Sequence, residues 1–450
     1  MRTAAASAAV FVAALLPRLY VALAWTREPV WDGHYYDIGA RSIAAGLGYV
    51  GTSGGAWCHY PVGYSGLLGG AYALFGDGRF TGPLLNAALG ALLAVAVFRL
   101  ALYATSERRA LIAGMLVALL PGLVIYTPLL MTEPAAATFV VLAAWLAAAL
   151  GHRRWGLAAA AAVLGLGILI RPQSLLCAPL LPLLPQGAAP LRKLIARGAA
   201  ATGVAILVVL PWTYRNCRVM DGCAFVSTNA GWNLAIGAFP RATGRFSGLS
   251  GDDGCRIVTG QVQQDRCWMR MGLSWIAADP GRWLGLVDDK LAYTFDHESF
   301  AIGYLGEADP TAWPEERKRL GRGVASWSHR ALLALATFGV VPGPSRKRPA
   351  SLLTPVALGL VAFYAAATPT HPFWPLAILL VLVAALRVRA LDGVRLFAAG
   401  QVLTVALTHA VFFGEDRYHM VLTPWLALLA ACAFDRDEAN RALGGPAPSG

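Results

Sequence analysis

The feature that most constrains the fold is a series of apolar windows, each close to the length that a membrane-spanning helix requires. Crossing the hydrocarbon core as an α-helix takes roughly 20 predominantly apolar residues. Such windows occur at about residues 5–25, 82–104, 110–128, 134–150, 156–170, 174–190, 198–212, 324–343, 351–369, 373–386, 396–413 and 420–434. No small-residue cleavage pattern follows the first window, so we expect it to be retained. The sequence therefore predicts an all-α polytopic membrane protein with about 12 transmembrane helices.

The composition agrees with a membrane protein and excludes several other classes. Hydrophobic residues make up 57% of the chain and charged residues only 14%, against about a quarter charged in soluble domains. The same figures exclude a disordered chain and a coiled coil. The net charge of +12 predicts basic cytoplasmic loops, because such loops are enriched in Lys and Arg. We therefore expect membrane lipids as partners and no nucleic acid.

Basic residues fall on alternate short connections between the apolar windows, and this pattern predicts an orientation. By the positive-inside rule these connections are cytoplasmic, and both chain termini then lie in the cytoplasm. The residues concerned are Arg108, Arg109, Arg153, Arg154, Arg192, Lys193, Arg197, Arg346 to Arg348, Arg387, Arg389 and Arg395. Two long segments, at about 26–81 and 212–323, are consequently predicted as structured periplasmic loops.

Five of the seven cysteines lie in these two loops, where an oxidising compartment permits disulfides. Pairing Cys217 with Cys223 and Cys255 with Cys267 is the most economical arrangement, although four cysteines allow three connectivities. Cys58 is then left over. No Cys-x-x-Cys or His-x-x-x-His spacing indicates a metal site. We therefore expect no cofactor, while a divalent metal ion remains compatible with the sequence.

Two carboxylates stand beside predicted spans on the outer side, where ionisable groups are costly and usually functional. Asp32 follows the first span between aromatic residues and could orient or deprotonate a hydroxyl or amine nucleophile. Glu133 is the only acidic residue between Glu107 and Asp221. Alternatively, each carboxylate stabilises the N-terminus of the helix that follows it. At Asp32 the two interpretations stay open, and at Glu133 capping and function can coexist.

Four basic residues are predicted at the outer ends of spans, against the positive-inside tendency: Arg171, Arg215, Lys290 and Arg417. A guanidinium offers a phosphate two charge-assisted hydrogen bonds, whereas an ammonium offers a point charge. Individually, each residue could instead reach lipid headgroups or pair with a neighbouring acid such as Glu415. Because all four share one side, the sequence predicts a shared phosphate site.

The other polar candidates in the loops are neutral or scattered. Pro61 and Gly63, within Tyr60-Pro61-Val62-Gly63-Tyr64, re-aim the chain so that the following helix can lie along the membrane. The residues from Trp283 to Phe295 alternate apolar and charged side chains at helical spacing, which predicts an interfacial helix. We interpret the isolated histidines as surface or packing residues; they are His34, His59, His297 and His419.

Several short motifs follow one another along the chain. They are Asp32 with Tyr36, Ala44-Ala45-Gly46-Leu47-Gly48-Tyr49, Tyr60-Pro61-Val62-Gly63-Tyr64, Leu74-Phe75-Gly76, Thr132-Glu133, Arg171-Pro172, Pro211-Trp212-Thr213-Tyr214-Arg215-Asn216, Asn229-Ala230-Gly231-Trp232-Asn233-Leu234 and Arg417-Tyr418. In this order they resemble the GT-C membrane glycosyltransferases of family 39, the protein O-mannosyltransferase and lipid A aminoarabinose transferase type. The resemblance spans nearly the whole chain. Two positions depart from the family pattern, with Val62 in place of a second proline and Gly33 where an acidic residue often follows the aspartate.

The resemblance implies a GT-C fold and an inverting glycosyltransferase of the inner (plasma) membrane. Residues 1–343 would form the catalytic transmembrane module, and residues 344–450 would add C-terminal helices and a short cytoplasmic tail. The enzyme would move a hexose or pentose from a polyprenyl-phosphate carrier to an envelope lipid, glycan or protein acceptor at the periplasmic face. The implied catalytic residues are Asp32 and Glu133, the implied donor-phosphate ligands Arg215, Arg417, Arg171 and Lys290, and the implied substrate-loop residues Tyr36, Tyr60, Tyr64 and Asn216.

A transporter or flippase of lipid-linked sugars is the alternative, since it would also have about a dozen spans. Transporters commonly hold their substrate near the midplane of the membrane, on broken helices in repeated halves. In this sequence the ionisable residues collect at outer span ends, with Arg18 as the main exception, and two outer loops are long. These features favour the enzyme.

Overall fold

The computed structural model describes residues 2–184, 190–256, 260–341, 359 and 373–433. Within these residues every regular element is a helix, which confirms the predicted all-α class. The α-helices are α1 (Arg2–Ala24), α2 (Trp31–Ala44), α3 (Val62–Phe75), α4 (Thr81–Ala101), α5 (Glu107–Leu119), α6 (Pro121–Ile125), α7 (Thr132–Leu150), α8 (Gly156–Ile170), α9 (Leu191–Val219), α10 (Ala230–Ile236), α11 (Gln261–Ala278), α12 (Pro280–Gly285), α13 (Val287–Phe295), α14 (Phe300–Ala308), α15 (Glu315–Gly339), α16 (Trp374–Leu386), α17 (Gly393–Val411) and α18 (Thr423–Ala431). Segments of 3₁₀ helix lie at Pro172–Leu183, Gly251–Asp253 and Asp416–Val421.

Among the described residues, five helices are long and apolar enough to cross a membrane, namely α1, α4, α7, α9 and α17. The apolar helices α3, α8 and α16 are shorter. These helices make the chain an integral membrane protein. Twelve spans remain a prediction, and the predicted span at 351–369, the basic connection at 346–348 and the C-terminal tail lie outside the described residues.

Prolines alter three of the predicted spans. In the window at 174–190, the residues up to Leu183 form a 3₁₀ helix instead of an α-helix, because Pro179 and Pro182 lack the N–H that α-helical bonding needs. Pro121 divides the window at 110–128 into α5 and α6. Among the described residues of the window at 420–434, the α-helix is the nine-residue α18, which follows the 3₁₀ helix Asp416–Val421 and has Pro424 in its first turn.

Small residues allow the long helices to approach closely. A Cβ on Gly165 of α8 would lie 2.9 Å from the Ala205 carbonyl oxygen of α9. Such close contacts are common between membrane helices, where lipid removes the hydrophobic force between them. Arg18, an ionisable residue that lies within a predicted span, is 1% exposed. It donates to the carbonyl oxygens of Val117 and Ala118, at 2.9 and 2.7 Å. It thereby satisfies carbonyls that the end of α5 leaves without intrahelical partners.

Both long loops are largely helical. The first loop folds into α2 and α3, and the second contains α10 to α14. The two economical disulfides are both present, Cys217–Cys223 and Cys255–Cys267, with S–S distances of 2.15 and 2.07 Å. The helix expected at 283–295 is present as α12 and α13, interrupted at Leu286.

Candidate functional site

The central feature of the site is an ion pair between Asp32 and Arg417, 385 residues apart in the chain. The Tyr60 hydroxyl donates to the other oxygen of Asp32 at 2.8 Å. Asp32 lies in the first turn of α2, and its side chain keeps 23% of its surface exposed. Arg417 follows the end of α17. The carboxylate is therefore held in place and still accessible to a substrate.

The backbone at the start of α2 is strained. Trp31 has φ of 50°, a left-handed conformation that is an outlier for a bulky residue. Its ring packs on Phe300 and Tyr304, with centroid distances of 5.4 and 5.7 Å. A Cβ on Gly33 would lie 2.3 Å from the Tyr304 hydroxyl, so a side chain at this position would require the Tyr304 ring to move. This packing holds the strained turn that presents Asp32.

Arg417 bridges two carboxylates, because its Nε also lies 2.5 Å from Glu415 Oε2. Burial tends to raise the pKa of Asp32, but the positive charge of Arg417 and hydrogen bonds from Arg417 and Tyr60 outweigh it, so its pKa falls below its ordinary value. Burial raises the pKa of Glu415 to about 7; Arg417 opposes this rise, and the negative charges of Asp416 and Asp32 add to it. The two carboxylates thus have pKa values pushed in opposite directions.

A second ion pair lies beside the first. Arg171, directly after α8, bonds Glu133 in the first turn of α7 at 2.6 Å and Thr132 Oγ1 at 3.0 Å. The guanidinium of Arg171 lies 5.3 Å from the centre of the Tyr418 ring, and that of Arg417 lies 5.1 Å from the same ring. Tyr418 therefore connects the two ion pairs, and the start of α7 and the ends of α8 and α17 share one side of the protein.

The ion pair of Glu133 with Arg171 makes Glu133→Ala a test of the packing in this region. The side chains are 1% and 12% exposed, so the substitution leaves a poorly solvated guanidinium without its counter-ion. We expect a loss of about 3 kcal/mol in stability. The double variant Glu133→Ala/Arg171→Ala should recover part of that loss, which thermal melting of the three purified proteins would measure. A double variant less stable than the single one would contradict this interpretation.

The structure brings the predicted tyrosines together in one cluster. Tyr36 packs against Tyr60 and Tyr64, with ring centroids 5.2 and 5.6 Å apart. Tyr64 donates to Asn86 Oδ1 at 2.9 Å. Tyr60 therefore contacts the Asp32 carboxylate directly, while Tyr36 packs against the Tyr60 ring and Tyr64 packs against Tyr36.

Three other predicted residues have structural partners instead of contacts with Asp32. Arg215 donates to the carbonyl oxygens of Trp57 and Tyr49 at 2.8 and 3.0 Å, which joins α9 to the first loop. Asn216 Nδ2 donates to two carbonyls in the chain after α9, at 3.1 and 3.3 Å. Lys290 is buried, and its Nζ lies 3.3 Å from two carbonyl oxygens at the end of α17. A phosphate-binding role for Arg215 and Lys290 remains a prediction.

A cavity of about 280 Å³ lies between the first loop and α11. It is lined by His59, Thr228, Trp232, Gly260, Gln261, Gln264, Asp265 and Trp268. The His59 ring is packed against Tyr60 at a centroid distance of 4.9 Å, so the cavity adjoins the residue that bonds Asp32. Its mixture of indole rings and amide groups suits a polar organic group.

Two features of this region do not follow from sequence reasoning. The sequence indicates Glu415 only as an alternative partner of Arg417, whereas in the structure Glu415 is part of the site. Glu298, His329 and His419 form a buried group whose possible ligand atoms all lie within 4.8 Å of one another. They come from three separate segments, so no spacing in the sequence could reveal the group. His419, interpreted above as a packing residue, belongs to it.

Residues 59–214 match the family model described as dolichyl-phosphate-mannose-protein mannosyltransferase. No curated protein sequence matches the chain. An oligosaccharyltransferase structure from Archaeoglobus fulgidus in the apo form is 15% identical, with a TM-score of 0.49, over 97% of this chain and 51% of that one. ArnT from Cupriavidus metallidurans, bound to undecaprenyl phosphate, is 18% identical, with a TM-score of 0.43, over 95% of this chain and 78% of that one. The chain thus spans about half the length of the oligosaccharyltransferase.

The stretch that matches the family model includes Tyr60, Glu133 and Arg171, three of the residues that surround Asp32 and Arg417. It therefore overlaps the motifs on which the resemblance was drawn, and it agrees with the all-helical membrane fold. Over residues 59–214 the chain is therefore similar to the protein mannosyltransferase family, which supports the resemblance to GT-C glycosyltransferases of that type.

Proposed function

We propose that the protein transfers a sugar from a polyprenyl-phosphate carrier, with inversion, to an acceptor at the outer face of the plasma membrane. The observation that carries this proposal is the accessible Asp32 carboxylate paired with Arg417 at the ends of membrane helices. A guanidinium at this position suits a phosphate whose lipid tail stays in the bilayer. The family description names a donor of this class, a sugar on dolichyl phosphate. The sugar would be a hexose or pentose, and the acceptor an envelope lipid, glycan or protein.

The proposed chemistry is a single displacement at the anomeric carbon. Asp32 takes the proton of the acceptor hydroxyl or amine as that group attacks the sugar. The bond between the anomeric carbon and the phosphate oxygen breaks, and its electron pair leaves with the carrier phosphate. Arg417, with Arg171 beside it, stabilises the charge that develops on this leaving group. Glu133 holds Arg171 in place.

Arg417 also links donor binding to the activation of Asp32. Without donor, Arg417 keeps the pKa of Asp32 low, so the carboxylate is a weak base. A donor phosphate competes for the same guanidinium. When Arg417 turns toward the phosphate, Asp32 loses its counter-ion, and its burial then favours proton uptake. The base is consequently strongest when the donor is in place.

The direction of α7 supports an outer-face site. Glu133 and Arg171 lie where α7 begins and α8 ends, whereas the basic connection with Arg153 and Arg154 lies at the opposite ends of these helices. A helix of 19 residues is about 28 Å long, close to the hydrocarbon thickness. The positive-inside rule assigns the basic end to the cytoplasm, which leaves the site on the outer side.

The direct test is to incubate the purified protein with a set of polyprenyl-phosphate sugars and cell-envelope acceptors. Because every acceptor releases the same product, formation of free polyprenyl phosphate is the measurement. Mass spectrometry of lipid-linked sugars and envelope glycans, with and without the gene, would then identify sugar and acceptor. A transporter would instead move the donor across proteoliposome membranes and leave its glycosidic bond intact, which would overturn the proposal.

Donor binding is expected to weaken as the pH rises through about 7. Ionised Glu415 competes with the donor for Arg417, whereas protonated Glu415 does not, and the pKa of Glu415 is raised to about 7. The donor is a phosphodiester whose own charge is constant in this range. We expect Kd to rise roughly tenfold between pH 5.5 and 8.5, which corresponds to about one unit of pKa change on binding.

The Glu415→Gln variant isolates this effect, because an amide does not titrate. Its Kd should be almost independent of pH and close to the low-pH value of the unaltered protein. Glu316→Gln, an exposed carboxylate in the first turn of α15, is the matched control and should keep the normal pH profile. A Glu415→Gln profile as steep as that of the unaltered protein would contradict the assignment.

A further inference from the structure

We propose that Glu298, His329 and His419 bind a zinc ion that fixes the segment carrying Arg417. The three side chains are 2%, 0% and 0% exposed. They come from the connection between α13 and α14, from α15, and from the 3₁₀ helix Asp416–Val421. Two imidazoles and a carboxylate are a donor set typical of zinc. The proposal is independent of the transfer chemistry, since none of the three ligands belongs to the proposed catalytic pairs.

The backbone already orients both imidazoles for metal binding. His329 Nε2 lies 2.8 Å from the Phe295 carbonyl oxygen, and His419 Nδ1 lies 2.8 Å from that of Thr294. In the neutral rings these nitrogens are the donors, so the lone pairs lie on His329 Nδ1 and His419 Nε2. Metal-bound histidines characteristically donate their other N–H to a carbonyl or carboxylate.

The side-chain atoms that would bind the metal are those that have no hydrogen-bond partner in the part of the chain that the structure describes. Within the described residues, His329 Nδ1, His419 Nε2 and both carboxylate oxygens of Glu298 are buried without a hydrogen-bond partner. His419 Nε2 lies 3.5 Å from Glu298 Oε2. A proton shared by that pair would still leave the second carboxylate oxygen and the His329 nitrogen unsatisfied. A metal ion satisfies all three side chains together.

The surroundings leave room for the carboxylate and require only a small movement of the rings. A Cβ on Gly122 would lie 2.1 Å from Glu298 Oε1, so the absence of a side chain at this position creates the space. The two rings are stacked, with centroids 3.7 Å apart and planes inclined by 21°. Zinc ligands lie roughly 3.3 Å apart around a tetrahedral ion. Binding therefore opens the stack so that both lone pairs converge.

Metal analysis of the purified protein tests the proposal without any activity measurement. The protein would carry a tag without histidine and be compared with Glu298→Gln, His329→Asn and the control His152→Ala, which removes an exposed histidine. We expect one zinc per chain in the unaltered protein and the control, and affinity at least about 100-fold weaker in both ligand variants. Cobalt added to the metal-free protein should give the visible bands of a tetrahedral ion.

A second measurement covers variants that fail to fold. Removal of zinc from the unaltered protein by a chelator should lower its melting temperature and increase hydrogen exchange at residues 415–421, and added zinc, but not magnesium, should reverse both changes. Zinc below stoichiometric occupancy in the unaltered protein, or zinc retained in both ligand variants, would overturn the proposal. Either result would leave the three residues as a metal-free polar cluster.

Discussion

Replacing Asp32 by Asn is expected to lower the turnover of sugar transfer roughly 10³-fold while the protein stays folded. The amide keeps the size of the carboxylate and can still accept the hydrogen bond from Tyr60, which is 2.8 Å long in the structure. It cannot take a proton from the acceptor. Arg417 keeps one carboxylate partner, because Glu415 lies 2.5 Å from its Nε. The loss should therefore appear in kcat, with little change in thermal stability.

Donor affinity distinguishes this role of Asp32 from a purely structural one. In the Asn variant, Arg417 is no longer held by Asp32 and is freer to bind phosphate, so the donor Kd should stay equal or decrease. Asp37→Asn is the matched control on the same helix, since Asp37 is paired with Arg41 at 2.7 Å and Tyr72 at 2.7 Å. Turnover of the Asp32 variant within threefold of normal would remove Asp32 from the mechanism.

The class of fold follows from the sequence because the bilayer restricts the choices so strongly. Long uncharged windows in lipid must satisfy their backbone internally, and helices do so. The window at 174–190 differs because apolar character alone does not distinguish an α-helix from a 3₁₀ helix with Pro179 and Pro182 inside it. The disulfides were predictable for a simpler reason, since nearby cysteines such as Cys217 and Cys223 meet readily in an oxidising compartment.

The site was predictable in its residue types but not in its pairings. Asp32, Glu133, Arg171 and Arg417 stand out because ionisable groups are rare beside spans. Their separation into the pairs Asp32–Arg417 and Glu133–Arg171 depends on how the ends of α7, α8 and α17 pack. That packing is set by small residues distributed over many helices, and no local pattern encodes it.

For the basic residues, too, the sequence predicts the residue type but not the partner. Arg215 and Arg417 are both arginines beside a span, and charge alone gives them the same role. In the structure, backbone carbonyls of the first loop take the guanidinium of Arg215, and carboxylates take that of Arg417. Only the second arrangement can be exchanged for a phosphate without breaking a loop. The three-dimensional partners therefore decide which arginine is available to the donor.

Replacing Arg417 by Ala is expected to lower kcat/KM for transfer roughly 10³-fold, the largest effect among the basic residues. The loss combines weaker donor binding with poorer stabilisation of the departing phosphate. Charge-assisted hydrogen bonds contribute about 1.5–3 kcal/mol, so the donor Kd should rise roughly 10- to 100-fold. The Arg417→Lys variant should have a kcat/KM and a donor Kd between those of Arg417→Ala and the unaltered protein, because an ammonium keeps the charge and loses the bidentate geometry. Initial rates and equilibrium binding of the donor measure both parts.

The double variant Asp32→Asn/Arg417→Ala gives the sharpest test of the coupling between Asp32 and Arg417. If Arg417 acts on the same step as Asp32, the double variant should lose far less than the product of the single losses. Arg27→Ala is the matched control, because Arg27 also pairs with a carboxylate, Asp309 at 2.6 Å, but is 37% exposed. An exposed pair of this kind is worth at most about 1 kcal/mol, so the control should bind donor normally. Fully multiplicative losses would show that Arg417 does not act together with Asp32. Equal donor binding by Arg417→Ala and the control would show that Arg417 does not bind the donor.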